Sequence, residues 1–500
     1  MRSKSFSIKP DSHAHRVRVL KCALSSRILL IALILLWRSL LSPYDTSALI
    51  SPTCVSASNA NSDSPVLFPR AASALENSIV WDGVYFVRIA QCGYEYEQSY
   101  AFFPLLPICI SLVSRTVFAP LIPMIGQRAV LGLSGYVINN VAFIFAALYL
   151  YRLSVLILND PEVALLASIL FCFNPASIFY SSIYSESLYA LLSVGGLYNL
   201  MGGANNIATL LFALSGAARS NGMLNAGYIG FQTMHWAYDA ISLKKHAFVG
   251  LQVVVSGALR CFCIFIPFFS FQAYGYFNIC RGHADDEMRP WCKARIPLLY
   301  DYIQSHYWGG GFLRYFQVKQ LPNFLLASPI LSLAICSIVH YVKMWPAVFF
   351  SLGLGTAPAK KEMSATVFSL GANTELKTVG VLENETSGTL QDAHCIRLRK
   401  RFTKEESIAM NITSEGPPSL PVIVLPFILH LGFMAATAFL IMHVQVATRF
   451  LSASPSLYWF ASYVMITPSI GKRWGYFIWA YSVSYVLLGS LLFSNFYPFT

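Results

Sequence analysis

Five hundred residues would ordinarily divide into soluble domains of about 150 residues each, but the composition excludes that arrangement. Hydrophobic residues make up 56% of the chain and charged residues 12%, against about 45–50% and about 25% in soluble domains; a soluble fold could not cover its surface with so little charge. A mean hydropathy of +0.55 and apolar runs recurring from Ile28 to Phe493 predict an all-α polytopic membrane protein, and exclude disorder over most of the chain.

The chain opens on a basic tail, residues 1–22, and Arg2, Lys4, Lys9, Arg16, Arg18, Lys21 and Arg27 face one acid, Asp11. The positive-inside bias places this end in the cytoplasm. It therefore accounts for part of the net charge of +12 and argues against a nucleic-acid partner. The first span is expected at 23–41, with Arg38 snorkelling to the interface; a short apolar core behind basic residues also fits a signal peptide. Residues 42–101 are polar and are expected across the membrane from the tail.

Further apolar runs between 102 and 279, at 323–354 and in 419–500 bring the expected total to about nine to eleven spans. Two polar interludes interrupt them. Residues 280–322 are dense in Trp, Tyr and Arg. Residues 355–418 are rich in Ser, Thr, Lys and Glu and read as a flexible cytoplasmic loop. Residues 443–475 are expected to hold a loop on the same side as 280–322. Eleven cysteines show no zinc spacing. Cys54, Cys92, Cys280 and Cys292 fall where an oxidising compartment would allow a disulfide, and unpaired roles fit them as well.

Polar groups at span ends carry the functional signal, since a charge at the bilayer centre costs roughly 2.5–3.5 kcal/mol. Five stretches stand out. In Trp81-Asp82-Gly83-Val84-Tyr85 and the residues after it, Tyr85, Ile89 and Ala90 fit one face of an amphipathic surface helix beside Trp81 and Asp82; the plain alternative for Asp82 is a helix N-cap. Glu186 follows the helix-breaking Asn174-Pro175. In Ala218-Arg219-Ser220-Asn221, the Arg fork suits a phosphate and equally suits a snorkelling anchor. Trp291, Tyr300 and Lys319 lie in 280–322. Gln445 and Arg449 precede Tyr458-Trp459. In each of the last two regions aromatic faces suit a sugar ring, and an aromatic belt with anchors is the plain alternative. No metal-binding motif is present; Asp285-Asp286-Glu287 is an acidic run of the solvated-loop type.

These stretches together resemble the PIG-V family of GPI mannosyltransferases. The matching segments are WDGVYFVRIAQCGYEYEQSYAFFPLLP at 81–107, FCFNPASIFYSSIYSESLYALL at 171–192 and ARSNGMLNAG at 218–227. The segments 289–331 and 443–460, and NFYPFT at 495–500, complete the set. Residues 355–418 fall outside it. The resemblance implies a GT-C glycosyltransferase architecture with lumenal amphipathic helices, in the endoplasmic reticulum membrane, with a lumenal active site. It implies transfer of the second, α1,6-linked mannose from dolichyl phosphate mannose to a mannosyl-glucosaminyl-(acyl)phosphatidylinositol, with inversion and with no cofactor or metal. By the same resemblance Asp82 is the expected general base. Trp81, Tyr85, Glu186, Arg219, Asn221, Lys319, Gln445 and Arg449 are the expected substrate-binding residues. An accessory membrane subunit is compatible with this picture.

A membrane transporter and a non-catalytic scaffold subunit are the rival classes. A transporter concentrates ionisable groups at mid-bilayer in related halves; here they cluster at span ends and no halves repeat. One conflict stays open. Three apolar runs separate Asp82 from Glu186, which puts them on opposite faces unless one run is re-entrant, and the proline-rich 102–124 is the best candidate.

Overall fold

A computed structural model describes residues 13–42, 44, 54, 66–281, 288–354, 421–467 and 471–497. Asp285-Asp286-Glu287, the 355–418 loop and most of the basic tail lie outside the described residues. Every regular element among those described is helical. In chain order they are α1 His13–Leu40, α2 Pro69–Asn77, α3 Asp82–Cys92, α4 Leu105–Arg115, α5 Ile122–Ile125, α6 Gln127–Leu158 and α7 Pro161–Cys172. Next come α8 Ser177–Ser181, α9 Glu186–Met201, α10 Asn205–Ala218, α11 Ala226–Tyr238, α12 Ala247–Cys280 and α13 Leu299–His306. The last are α14 Leu321–Met344, α15 Pro346–Phe350, α16 Pro421–Leu440, α17 Ala447–Leu451, α18 Pro455–Ile466 and α19 Gly471–Ser494.

Six of these helical stretches are long and apolar enough to cross a membrane, seven if a bent pair counts as one span. Other apolar runs, among them α7 and α10, fold into shorter helices of 12 and 14 residues, about 18–21 Å long. At that length they cannot cross a ~30 Å core unaided, so apolar runs outnumber long helices. The bent pair is Leu105–Arg115 with Ala119–Ile125, turning by 68° where Pro120 and Pro123 interrupt the hydrogen-bond ladder. α12 exposes Phe248, Leu251, Leu259 and Phe262, a face that water would not tolerate and lipid does.

α1 starts well before the expected 23–41 span and carries Arg27 into the interior, where the residue is 1% exposed. Arg27 donates to the Cys172 carbonyl at 3.2 Å, the Ser177 carbonyl at 3.1 Å and the Ser181 hydroxyl at 2.9 Å. Its guanidinium also sits 3.8 Å over the Phe143 ring. Arg27 is therefore not a tail charge. The acceptors it finds at the end of α7 and along α8 offset the cost of burying it, and they hold the segment that leads into α9.

One end of the bundle is a cap of shorter elements. α3 packs over Leu106, Ile110, Leu131 and Ile183 through Phe86, Val87 and Ile89. The chain after residue 288 lies against it: Trp291 Nε1 donates to Glu97 Oε1 at 2.6 Å and the Tyr307 hydroxyl to Glu97 Oε2 at 2.7 Å. Disulfides join Cys54 to Cys92 and Cys280 to Cys292. The stretch 443–475 is less open than a loop. α18 buries Leu457, Trp459 and Ala461, and Trp459 Nε1 donates to Ser154 Oγ at 2.7 Å.

Candidate active site

Two carboxylates and two guanidiniums from four distant stretches meet at this end. Asp82 is the first residue of α3. The N-cap is Trp81, and no side-chain capping bond is made there. The Asp82 carboxylate is thus not spent on the helix end. Its Oδ2 accepts from Arg449 Nη1 at 3.2 Å, and a third of the side chain stays exposed. The Asp82 backbone N–H donates to the Tyr184 hydroxyl at 3.2 Å.

Glu186 is likewise the first residue of α9 with no capping bond from Ser185. It is buried and pairs with Arg219 Nη1 and, at 3.7 Å, with Arg449 Nε. The Arg449 guanidinium lies 5.3 Å from the Phe179 ring and 5.5 Å from the Tyr184 ring, within cation–π range. One Arg449 nitrogen bonds Asp82 while Nε makes no hydrogen bond. Nε is buried and faces Glu186, so a further acceptor would meet the Nη side of its five-proton fork.

The local backbone explains how these groups are held. Arg219 ends α10, and the next turn folds back so tightly that a Cβ on Gly222 would sit 2.2 Å from the Ser215 carbonyl carbon. Ser220 Oγ donates to the Tyr300 hydroxyl at 2.8 Å, which ties the 280–322 segment to Arg219. Trp81 is held at φ +53° and ψ −131°, a conformation costing of order 1–3 kcal/mol. Its indole N–H anchors on the Phe493 carbonyl at 3.0 Å and its ring lies against Phe496.

Burial raises the Asp82 carboxyl above its ordinary value of 3.8, the Arg449 cation opposes this, and the Glu186 charge adds to it. A carboxylate that is partly desolvated yet open to solvent can take a proton from a bound hydroxyl. Two guanidiniums beside it can hold an anionic group.

The expected substrate-binding residues divide. Trp81, Glu186, Arg219 and Arg449 join Asp82. Tyr85 stacks on Phe102 at 4.7 Å, and Asn221 is buried in the turn after Arg219. Gln445 accepts from the Tyr315 hydroxyl, which also receives Asn323 Nδ2 at 2.7 Å. Lys319 is exposed on the turn Val318–Gln320, and no ion pair joins it to these residues among those described. Tyr184 is not among the expected site residues, although it lies inside a matched segment, and Tyr300, noted as an aromatic of 280–322, reaches the site through Ser220 rather than as a sugar platform. Their role depends on which carbonyls and hydroxyls the packed helices bring to them.

Asp82 and Glu186 lie in one site, since both reach Arg449, and the bent α4–α5 pair falls in the proline-rich run 102–124. Among the described residues, one group of Cys, His or acidic side chains is close enough to share a metal ion: Cys54, Cys92 and Glu95. Its sulfurs are joined in a disulfide, and Glu95 pairs with Arg88 at 2.6 Å.

The family model for PIG-V mannosyltransferases matches residues 16–500. The human protein named GPI alpha-1,6-mannosyltransferase 2 is 28% identical over 471 residues, covering 90% of this chain and 84% of the relative. GPI mannosyltransferase 2 of Drosophila pseudoobscura pseudoobscura is 30% identical over 514 residues, 97% and 99% of the two chains. That of Chaetomium globosum is 32% identical over 300 residues, 51% and 62% of the two chains. No solved structure matches the chain.

Proposed function

The chain belongs to the PIG-V mannosyltransferase family, and from that premise we propose that Asp82 is the general base of its transfer reaction. The protein is a multi-pass mannosyltransferase of GPI-anchor assembly in the endoplasmic reticulum. The donor in this reading is dolichyl phosphate mannose. The acceptor is the one-mannose glucosaminyl-phosphatidylinositol, and the new bond is the α1,6 linkage that the human relative's name specifies. The observation that carries the base assignment is the Asp82 carboxylate, free of any capping duty, partly exposed and set beside two arginines.

The acceptor 6-hydroxyl is a poor nucleophile until its proton has somewhere to go. Asp82 takes that proton as the oxygen attacks C1 of the donor mannose, and the C1–O bond to phosphate breaks on the opposite side. The products are the α-linked dimannosyl lipid, protonated Asp82 and dolichyl phosphate. A single displacement converts a β-linked donor into an α-linked product, through an oxocarbenium-like transition state. Negative charge collects on the leaving phosphate. Arg449 and Arg219, fixed before reaction by Glu186, meet it with preorganised donors. Glu186 acts as a positioning residue, because both its partners are cations and it is buried. With cations already in place for a monophosphate leaving group, we take the reaction to need no metal. Both disulfides join segments of the cap that holds Asp82, which supports a lumenal site, the oxidising side of this membrane.

The test is Asp82→Asn, which keeps the shape of the side chain and removes its basicity. Transfer from labelled dolichyl phosphate mannose to the one-mannose precursor should fall by about 10²–10⁴-fold, with protein abundance near that of wild type. Near-normal turnover would end the base assignment.

A further inference from the structure

A cavity of about 400 Å³ lies between α14, α18 and α19. Leu333, Cys336, Tyr458, Ala461, Phe477 and Tyr481 are among the residues of its wall. α14 and α19 are long enough to cross a membrane, and Cys336 in the cavity wall is exposed on the outside of the bundle. The wall residues from Leu457 to Val464 extend along α18 for about 10 Å.

Thr448 and Ser452 also line the cavity. They flank Arg449 on α17, and Arg449 touches Asp82. An apolar slot lined by the residue next to a cation fits an amphiphile with an anionic head and a hydrocarbon tail. The chemistry of the two lipid substrates selects between them. In the donor, the phosphate that leaves C1 is bonded directly to the polyisoprenyl chain, so the tail must start one phosphate away from the reacting carbon. In the acceptor, two sugars, inositol, phosphate and glycerol separate the reacting hydroxyl from the acyl chains. Tails that start beside Arg449 therefore belong to the donor. A second cavity of about 560 Å³ is walled by Ile89, Ala90, Gly93 and Tyr94 of α3 and its end, together with Pro107 and Tyr274. Along α3 that wall lies about 10–18 Å from Asp82.

We propose that the α14–α18–α19 cavity holds the first isoprene units of the donor's lipid chain, with the phosphate on Arg449. The proposal rests on the donor reading given above. It is tested on the full-length protein with a polyprenyl phosphate carrying a diazirine near the phosphate. Irradiation should label peptides of α14, α18 and α19, with labelling suppressed by excess unmodified polyprenyl phosphate. Labelling at the Pro107–Tyr274 cavity, or spread over all lipid-facing helices alike, would overturn the proposal.

Kinetics gives the second arm, with mannosyl phosphate on a long polyisoprenol and on a two-isoprene alcohol. Cys336→Trp, which pushes an indole into the slot, should cut the long-to-short ratio of kcat/KM by about tenfold; Cys336→Ala should keep the ratio. An unchanged ratio in Cys336→Trp, or a shift in dependence on the acceptor's acyl chains instead, would refute it. Should Cys336→Trp fail to fold, the labelling experiment decides alone. The photoprobe carries no mannose, so labelling of the slot by a protein that transferred none would sink the donor reading and leave the lipid-phosphate site standing.

Discussion

At the scale of single residues, the cluster is a balance of charges. Asp82 feels burial and Glu186 pushing its carboxyl up, and Arg449 pulling it down. Its proton-accepting form is present above that raised value and is lost as pH falls through it. The acid limb of kcat/KM is therefore expected above the ordinary Asp value of 3.8. Arg449→Gln removes the opposing cation, so the limb should move further up in pH. The same change should lower kcat/KM by about 10²–10³-fold, the scale of one lost transition-state donor. A pH–rate profile of both proteins with the same lipid substrates checks this; a limb that stays put would separate Arg449 from the titration of Asp82. Asp82, Arg219 and Arg449 could each be singled out in the sequence as polar groups at the ends of apolar runs. Their pairing could not, because Asp82 and Arg449 are 367 residues apart and meet only through helix packing. Lys319 looked equivalent to Arg449 by neighbourhood in sequence; the turn Val318–Gln320 leaves it exposed instead.

Elements position these residues through close backbone approach. The turn after α10 is the clearest case, since Gly222 presses on the backbone of Ser215 and Gly216 and its N–H closes on the Arg219 carbonyl at 2.9 Å. Neither contact is with a movable side chain. Gly222→Ala should therefore cost about 1–3 kcal/mol and displace Arg219 from Glu186. Lowered thermal stability in detergent, together with lost transfer, is the expected result. Gly227→Ala, where nothing lies within 4 Å of the added methyl, should be neutral in the same assay. Equal behaviour of the two variants would show that the turn does not constrain Arg219. The segment Ala218-Arg219-Ser220-Asn221-Gly222 was legible as a break between apolar runs. That its glycine is a packing necessity was not, because the surface it touches belongs to the preceding helix. The 102–124 run was legible as an anomaly from its prolines, and the 68° bend is what those prolines do when the ladder loses its donors.

At the scale of the whole molecule, hydropathy announced an all-helical membrane protein but overstated the long helices. The α7 run is apolar largely because protein surrounds it, while α10 also exposes Ile207 and Leu210; burial in protein and burial in lipid leave the same mark in a sequence. Two expectations belong to this scale. Transfer in washed membranes should survive excess EDTA, and activity lost to EDTA and restored by Mn²⁺ or Mg²⁺ would contradict the metal-free reading. The sequons at Asn384 and Asn411, outside the described residues, should stay unmodified if 355–418 is cytoplasmic. A glycosidase-sensitive mobility shift, abolished in the double Asn→Gln variant, would reverse that orientation. The Asp82–Arg449 pairing also has a consequence in time. At about 5–20 residues per second, a ribosome that has made Asp82 needs tens of seconds to reach Arg449. Throughout that interval the nascent chain holds one half of the charge balance without the other, and Trp81 lacks its anchor at Phe493. If Asp82 and Arg449 work as proposed, a premature stop anywhere before residue 449 should leave a product without its second half of the site, and membranes carrying it should transfer no mannose.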